Sequence, residues 1–252
     1  MKTNTAPTAE QLRVWGRAAP GSWVLGCETK VLQGFVADLF GYHLLQVGGL
    51  PLEPEYLEEC QVRCKTHIDL QPVALATGPT IQAAAESLPV ATDSVDVVVL
   101  PHTLDFSTDP HQVLREVDRV LIPEGRLLLT GFNPWSLWGL WRLLPGRHGE
   151  MPWCGHFLSY PRIQDWLGLM GFAIESIELR VFRPPLQNVG LIRRVGFMET
   201  YGPRFAPMLA GVYIVRAVKQ VSTITPIKTA WRRLGRLEAG VIKPTTRERH
   251  RG

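Results

Sequence analysis

The sequence lacks both a run of apolar residues long enough to cross a membrane and an N-terminal segment that resembles a secretory signal. The longest apolar stretch, residues 127–144, is interrupted by glycine, asparagine, proline, serine and arginine, whereas a spanning helix needs about 20 predominantly apolar residues in succession. The first residues have no basic region followed by an apolar core, as a signal peptide requires. The sequence therefore predicts a cytoplasmic protein.

Cysteine is also scarce. The four cysteines in 252 residues show no disulfide framework and fit free thiols in a reducing compartment. Cys60, Cys64 and His67 lie close together in the sequence, but their spacing matches no zinc motif and a fourth ligand would have to come from elsewhere. We therefore predict no metal site.

The chain has enough apolar residues, 45% of its 252, for one complete hydrophobic core. Its most informative stretch is residues 85–132. Within it, residues 95–100 form a short β-branched run broken only by Asp96, which predicts a strand buried on both faces. Asp109, followed by a proline, marks the start of an amphipathic helix, and residues 126–130 predict the next strand. Because such crossovers are right-handed, this unit indicates a parallel sheet.

The same stretch resembles a known enzyme family. The string LPVATDSVDVVVLPHTL, followed by DPHQVLREVDRVLIPEGRLLLTGF, is similar to the central part of class I S-adenosylmethionine-dependent methyltransferases of the type 11 kind, which include quinone-biosynthesis enzymes. The resemblance implies an α/β fold with a doubly wound, mostly parallel seven-stranded sheet, the Rossmann-like methyltransferase fold. It also implies S-adenosylmethionine as the cofactor and methyl transfer as the activity.

The resemblance, together with a change of composition at residue 220, divides the chain into three parts. Residues 1–41 are expected to form an N-terminal helical extension, residues 42–219 the methyltransferase-like domain, and residues 220–252 a basic C-terminal tail. That tail has eight basic and two acidic residues, a net charge of +6, whereas the whole chain is +4. Such tails are usually solvated, but nucleic acid and an anionic membrane are both open as partners.

The cofactor motifs depart from the family pattern at two places. After an expected strand at residues 43–47, the family's Gly-x-Gly-x-x-Gly loop is reduced to Gly48 and Gly49, followed by bulkier residues. Glycines there let the backbone approach a cofactor closely. Ala84 stands where the family most often has an Asp that accepts a hydrogen bond from the adenine amino group. Losing such a charged bond costs about 1.5–3 kcal/mol, which weakens binding without abolishing it.

Cofactor contacts are expected at the carboxyl ends of the strands, where open parallel sheets bind ligands. Asp69 has the position of the acid that holds a ribose diol, with a solvated loop Asp as the alternative. His102 could deprotonate an acceptor if its pKa were near neutrality; alternatively it only caps a loop, because methyl transfer can depend on alignment alone. The expected cofactor-binding residues are Gly48, Gly49, Asp69, Glu86, Ser87, Leu88, Leu100, Pro101 and His102.

A tryptophan-rich segment follows the fifth strand. Asn133 and Pro134 predict the start of a helix that is apolar nearly all round. In the family, insertions between strands five and six commonly shape the acceptor pocket, which implies a lid over an apolar or aromatic substrate. Packing on the core, or contact with a membrane or a partner, are the alternatives. The expected acceptor-binding residues are Trp135, Trp138, Trp141 and Tyr160.

The remaining elements are predicted from periodicity and turn residues. Helices are expected at residues 30–40, 54–64 and 161–170, and strands at residues 66–70, 80–83, 172–181 and 211–218. Residues 182–209 are expected to form a long ordered loop or a substrate-side insertion.

The sequence thus predicts an S-adenosylmethionine-dependent methyltransferase that acts on a small apolar or aromatic acceptor. Two other functions stay open. A methyltransferase-fold protein without catalysis, acting as a binding or regulatory partner, would account for the reduced glycine loop and Ala84. An RNA methyltransferase guided by the basic tail would account for the charge, although no recognisable RNA-binding module accompanies that tail.

Overall fold

The computed structural model describes residues 9–48, 54–57, 59–71, 78–143, 150–186 and 194–220. Gly49 and residues 221–252 of the basic tail lie outside the described residues. The helices are α1 (Ala9–Arg17), α2 (Gly21–Val36), α3 (Thr103–Phe106), α4 (Pro110–Val120), α5 (Leu137–Trp141), α6 (Tyr160–Leu169) and α7 (Phe197–Phe205), with 3-10 turns at Pro54–Leu57 and Pro207–Leu209. The strands are β1 (His43–Val47), β2 (Cys64–Asp69), β3 (Thr80–Gln82), β4 (Val95–Pro101), β5 (Leu121–Phe132), β6 (Phe172–Arg180) and β7 (Val212–Lys219).

The seven strands form one sheet in the order β3-β2-β1-β4-β5-β7-β6. Strands β1 to β5 pair in parallel, whereas β7 is antiparallel to both β5 and β6. The strand order reverses beside β1, so the sheet is doubly wound and the carboxyl ends of β1 to β5 share one edge. The predicted fold class is confirmed.

The β4, α4 and β5 unit forms for the reasons that its sequence suggested. Asp109 caps α4, since its Oδ1 accepts a hydrogen bond from the Gln112 backbone N–H at 3.0 Å. Val113, Val117 and Val120 of α4 are fully buried against the sheet, and each such burial stabilises the fold by roughly 1.5–3 kcal/mol. The strand after the helix begins earlier and ends later than predicted, because residues on both sides of the expected run pair with β4 or β7.

Asp96, the one polar residue in the β4 run, secures the start of β1. Its Oδ2 accepts hydrogen bonds from the backbone N–H groups of Tyr42 at 3.0 Å and His43 at 2.9 Å. A Cβ on Gly41 would stand 2.6 Å from Cβ of Asp96, so this close approach requires glycine. Asp96 therefore replaces the strand partners that the first amides of β1 lack.

The core has a layer on each face of the sheet. On one face, Leu32 and Val36 of α2 pack in a cluster with Val97 and Leu128, and on the other face α4 and α6 cover the sheet. Trp15 of α1 packs on the cluster that contains Leu32. Its ring makes a T-shaped contact with the ring of Phe132, with 6.1 Å between the ring centroids. No helix among the described residues is both long and apolar enough to cross a bilayer.

Two predicted helices differ from the structure. The helix expected at residues 30–40 begins earlier, at Gly21, and ends at Val36, so that Phe40 is 70% exposed instead of lying on an apolar stripe. The helix expected at residues 54–64 is wrong. Among the described residues of this range, only the 3-10 turn Pro54–Leu57 forms, because Cys64 begins β2 with its N–H bonded to the carbonyl of Tyr42.

The helix start at Asn133 is also wrong, and the described part of residues 182–209 is not a loop throughout. Asn133 instead donates from Nδ2 to the carbonyls of Met208 and Ala210, and Ser136 caps α5 by accepting from the Gly139 N–H. Within the expected loop, α7 forms despite Pro203. Glu199 of that helix accepts hydrogen bonds from backbone N–H groups beyond β6, which fixes α7 in place.

Candidate functional site

A cleft of about 200 Å³ lies at the carboxyl edge of the sheet. The ends of β1, β2 and β3 and the segment after β4 converge on it, as expected for a ligand site in an open parallel sheet. The cleft is lined by Leu12, Gly48, Ile68, Asp69, Leu70, Gln71, Ala83, Ala85, Glu86, Thr103, Phe106, Ser107 and Thr108.

Gly48 forms the turn at the end of β1. It has a φ of +50°, a left-handed conformation that favours glycine, and its N–H donates to the carbonyl of Ile68 at 2.6 Å. A Cβ at this position would stand 3.4 Å from Cγ2 of Thr103. Thr103 in turn donates from Oγ1 to the carbonyl of Val47 at 2.5 Å. These contacts pack the backbone closely at the base of the cleft, where it can contact a ligand directly.

Asp69 is the last residue of β2, and its side chain is 21% exposed. Its Oδ1 accepts one long hydrogen bond of 3.3 Å from the Gln71 N–H, and its Oδ2 lies 3.9 Å from Nε2 of His67. Because an ionised carboxylate offers about four acceptor positions, Asp69 can still bind two hydroxyl groups. The predicted diol-binding acid is thus brought beside Gly48 in one cleft.

Glu86 lines the cleft but bonds mainly to the protein. Its Oε1 accepts hydrogen bonds from the hydroxyl of Ser107 at 2.8 Å and from the hydroxyl and N–H of Thr108 at 3.1 and 3.3 Å. Partial burial by itself would raise the pKa of Glu86, but these hydrogen bonds lower the pKa below its usual value. The ionised Glu86 therefore fixes the segment between β4 and α4 by hydrogen bonds. We call Glu86 with its partners Ser107 and Thr108 the clasp.

The residues around Glu86 occupy different environments. Ala83 and Ala85 line the cleft, and Ala84 between them accepts a turn hydrogen bond from the N–H of Ser87. Ser87 is exposed and lies outside the cleft lining. Leu88 is buried in the core, and its N–H donates to Glu116 at 2.9 Å. Two of the predicted contacts, Ser87 and Leu88, are therefore not brought to the cleft.

His102 is completely buried beneath the cleft, in a left-handed conformation with a φ of 54°. Its Nδ1 lies 2.9 Å from Oδ2 of Asp105 and its Nε2 lies 2.7 Å from Oε1 of Glu28. Burial alone would lower the pKa of His102, but the charge of Glu28 and the hydrogen bonds to both carboxylates raise the pKa to about 9. The ring is therefore an imidazolium that donates from both nitrogens.

This geometry offers no support for His102 as a general base. The ring has no free nitrogen to accept a proton and no exposed edge that an acceptor could reach. Leu100 and Pro101 are buried as well, so none of the three residues predicted from strand four lines the cleft.

The segment that immediately follows the strand supplies the lining instead. The sequence did indicate this lining. Thr and Ser residues lie between the end of β4 and Asp109, the N-cap of α4, and loops at such positions often carry binding residues. Leu12 could not have been found in the same way, because it reaches the cleft from α1, far away in sequence. The lining residues that sequence reasoning missed are Leu12, Ile68, Leu70, Gln71, Ala83, Ala85, Thr103, Phe106, Ser107 and Thr108.

The four predicted acceptor-binding residues do not surround one cavity. Trp138 is fully buried and donates from Nε1 to the carbonyl of Arg183 at 2.9 Å, so it belongs to the core. Trp141 and Tyr160 are half-buried. Trp135, in contrast, is 71% exposed and lines a separate groove of about 500 Å³.

The described cysteines are free thiols. Within the described ranges, no group of three or more His, Cys, Asp or Glu side chains could hold a metal ion.

Comparison with known proteins places this geometry in context. Residues 25–129 match the family model described as "Methyltransferase domain". The chain is 36% identical over 160 residues to the "Uncharacterized protein YafS" of Escherichia coli, a match that covers 64% of this chain and 65% of that protein, just under two thirds. It is also 47% identical over 53 residues to the ubiquinone/menaquinone biosynthesis C-methyltransferase UbiE of Hahella chejuensis, 21% of each protein.

Solved structures show the same fold. The S-adenosylmethionine-dependent methyltransferase of Mesorhizobium loti superposes with a TM-score of 0.54 at 16% identity, covering 75% of this chain and 96% of that one. At this level of identity the likeness concerns the fold.

Proposed function

We propose that this chain binds S-adenosylmethionine in the carboxyl-edge cleft and methylates a small apolar or aromatic acceptor. The match of residues 25–129 to the family model described as "Methyltransferase domain" supports this proposal. The observation that carries this proposal is the juxtaposition of Gly48 and Asp69 at the ends of two adjacent strands, β1 and β2. A nucleoside binds where a tight turn lets the backbone approach it and where a carboxylate can accept hydrogen bonds from its two ribose hydroxyls.

The residues present fit this cofactor. Asp69 has acceptor capacity left for the two ribose hydroxyls. Ala83 and Ala85 give the cleft a wall of small apolar side chains on the β3 side, which leaves room for a flat purine. The acid expected for the adenine amino group is absent at Ala84, so the site fits the cofactor with one charged contact fewer than the family pattern.

When bound, S-adenosylmethionine supplies a methyl group activated by its sulfonium charge. The chain's own contribution is to position the reactants, because methyl transfer to an activated acceptor depends mainly on the alignment of two atoms. Leu12 and Phe106 line the cleft with apolar surface and exclude water from the ligand. The clasp of Glu86 on Ser107 and Thr108 keeps the wall after β4 in place.

An apolar or aromatic acceptor is favoured by the side chains at this edge of the sheet. Leu12, Ile68 and Phe106 line the cleft with apolar surface. None of the described residues that line the cleft is a lysine or histidine positioned to act as a base, which suits an acceptor that is already nucleophilic. The free thiols of the cysteines fit the cytoplasmic location that we propose.

Binding of S-adenosylhomocysteine, measured by isothermal titration calorimetry, tests the proposal without knowledge of the acceptor. We expect micromolar to sub-millimolar affinity for the full-length protein. Asp69→Ala should weaken binding about tenfold or more, because it removes charged hydrogen bonds to the diol. Asp165→Ala, at an exposed position of α6, is the matched control and should bind as the parent does. No heat and no thermal shift at millimolar ligand would overturn the proposal.

A non-catalytic role as a binding partner is the second candidate, and Ala84 is the observation that favours it. That role predicts no methyl transfer from radiolabelled S-adenosylmethionine to extracted cell metabolites, even where the cofactor binds. Transfer that Asp69→Ala reduces and Asp165→Ala preserves would exclude it.

A further inference from the structure

The carboxyl edge of the sheet carries an exposed apolar surface beside the cleft-forming strands. It consists of Trp135, which is 71% exposed, Leu140 at 60%, Leu143 at 71% and Met208 at 71%. The first three line the same groove of about 500 Å³, and Met208 belongs to the adjoining 3-10 turn. We call these four residues the apolar rim.

The apolar rim is a built surface rather than a set of unrelated loop residues. Asn133, at the end of β5, accepts from the Trp135 N–H at 3.1 Å and donates to the carbonyls of Met208 and Ala210 at 2.8 and 3.0 Å. One buried amide therefore fixes both sides of the groove. Four large apolar side chains that form one solvent-exposed patch indicate an interaction surface.

The charged residue among the described residues that line the groove is basic. Arg142 lines the groove, and Arg204 is exposed next to Phe205, which is 75% exposed. No acidic side chain is among the residues described as lining the groove. The acid of the nearby α7, Glu199, accepts hydrogen bonds from the Phe182 and Arg183 N–H groups and so is engaged by the protein.

We propose that the apolar rim docks on the surface of an anionic lipid bilayer. Tryptophan and leucine side chains insert at the boundary between headgroups and acyl chains, while arginines bind anionic headgroups. Residues 220–252 add a net charge of +6 to the same chain, which supplies the second attraction that stable but reversible membrane binding needs.

Charge argues against two other occupants. In a two-fold dimer the same patch packs against itself, so both copies of Arg142 would be brought into one apolar contact without an acidic partner among the groove-lining residues. The chain's own C-terminal tail is basic and would bring like charge to the groove. An anionic surface is the occupant that complements both the apolar rim and Arg142.

Flotation with lipid vesicles tests this inference with the full-length protein. We expect binding to vesicles of phosphatidylcholine with about one third phosphatidylglycerol and weak binding to phosphatidylcholine alone. Trp135→Ser combined with Leu143→Ser should lower the partition coefficient about tenfold or more. Arg142→Gln should reduce the preference for the anionic lipid.

The matched control is Phe40→Ser combined with Leu169→Ser. These side chains are 70% and 87% exposed and lie just before β1 and β6, at the opposite edge of the sheet, so vesicle binding should stay unchanged. Circular dichroism and melting temperature check that each variant is folded. Vesicle binding that is absent, or that the rim variant retains, would overturn the inference. So would a dimer, detected by light scattering, that the rim variant dissociates.

This inference does not depend on methyl transfer. The rim variant should bind S-adenosylhomocysteine as the parent does, so the failure of one proposal leaves the other standing.

Discussion

Nε2 of His102 donates a hydrogen bond to Oε1 of Glu28 across 2.7 Å, and both side chains are completely buried. The pair joins α2 of the N-terminal extension to the end of β4. Asp105 completes the group, since its Oδ2 accepts from Nδ1 of His102 and from the Phe132 N–H, both at 2.9 Å. One imidazolium thus links a helix, a helical turn and β5 directly beneath the candidate cofactor cleft.

This arrangement predicts that the free energy of unfolding falls as the pH rises from about 6.5 to 9. The pKa of His102 is raised from 6.5 to about 9 in the folded protein. The stabilisation is therefore fully present below the unfolded pKa and is lost as the pH rises through the folded one. Urea denaturation at a series of pH values should show a loss on the order of 2–3 kcal/mol.

His102→Gln is the control for that pH series. It removes the titrating ring, so the variant should be less stable at pH 6 and should vary much less with pH over the same range. Burial raises the pKa of the Cys27 thiol from 9.0 to about 11. The titration of this thiol therefore changes the free energy of unfolding mainly above pH 9. A parent protein whose stability is flat between pH 6.5 and 9 would show that the buried imidazolium is not formed.

Two tryptophans only three positions apart should respond very differently to truncation. Trp138 is fully buried, and its carbonyl accepts a hydrogen bond from Nε1 of Trp153 at 2.9 Å. Trp138→Ala should therefore cost about 3–5 kcal/mol in unfolding free energy. Trp135→Ala, at an exposed site, should change stability by no more than about 0.5 kcal/mol. Equal losses in denaturant titrations would mean that α5 is wrongly placed.

Ala84→Asp should strengthen cofactor binding. Ala84 lies between two residues that line the cleft, and a carboxylate there would accept from the adenine amino group. S-adenosylhomocysteine should bind roughly ten times more tightly. The matched ligand is S-inosylhomocysteine, whose keto oxygen faces the new carboxylate as a second acceptor and should bring no gain. Equal affinities of both proteins for the adenine ligand would show that residue 84 does not face the base.

Glu86→Ala should loosen the wall of the cleft. The change removes the acceptor for the Ser107 and Thr108 hydroxyls, so we expect weaker S-adenosylhomocysteine binding by about three- to tenfold. Because the folded pKa of Glu86 is lowered, the clasp is present above the unfolded pKa and weakens as the pH falls through the folded one. Calorimetry at pH 7 measures the effect, and an unchanged affinity would argue against a role for the clasp in the site.

The parts of the fold that were predictable from sequence are those with strong local patterns. α4 begins at its predicted cap, because capping and proline act over a few residues, and β1 has the bounds that the family resemblance implied. The helix expected at residues 54–64 failed because the pairing of β2 with β1, a long-range contact, overrode a local helical pattern. Asn133 was misread since its amide bonds residues about 75 positions away.

The candidate site was predictable to the same extent. Gly48, Asp69 and Glu86 reach the cleft because strand ends meet at one edge of any parallel sheet. The environment of His102 was not predictable, because Glu28 lies 74 positions earlier. Leu12 escaped detection for the same reason, since nothing in the sequence near α1 marks the strand ends that it approaches.

Strand β6 has a further consequence for the behaviour of the protein in a crowded cell. It lies at one margin of the sheet and has a strand partner on one side only within the described residues. Such a margin is a template for pairing with strands of other molecules. Glu175 and Glu178 place charges along β6, and each is held in an ion pair, with Arg216 at 2.6 Å and Arg180 at 2.9 Å. A strand that paired with β6 would desolvate these charged side chains, which is unfavourable. The edge strand β6 therefore disfavours intermolecular sheets and the aggregation that follows from them.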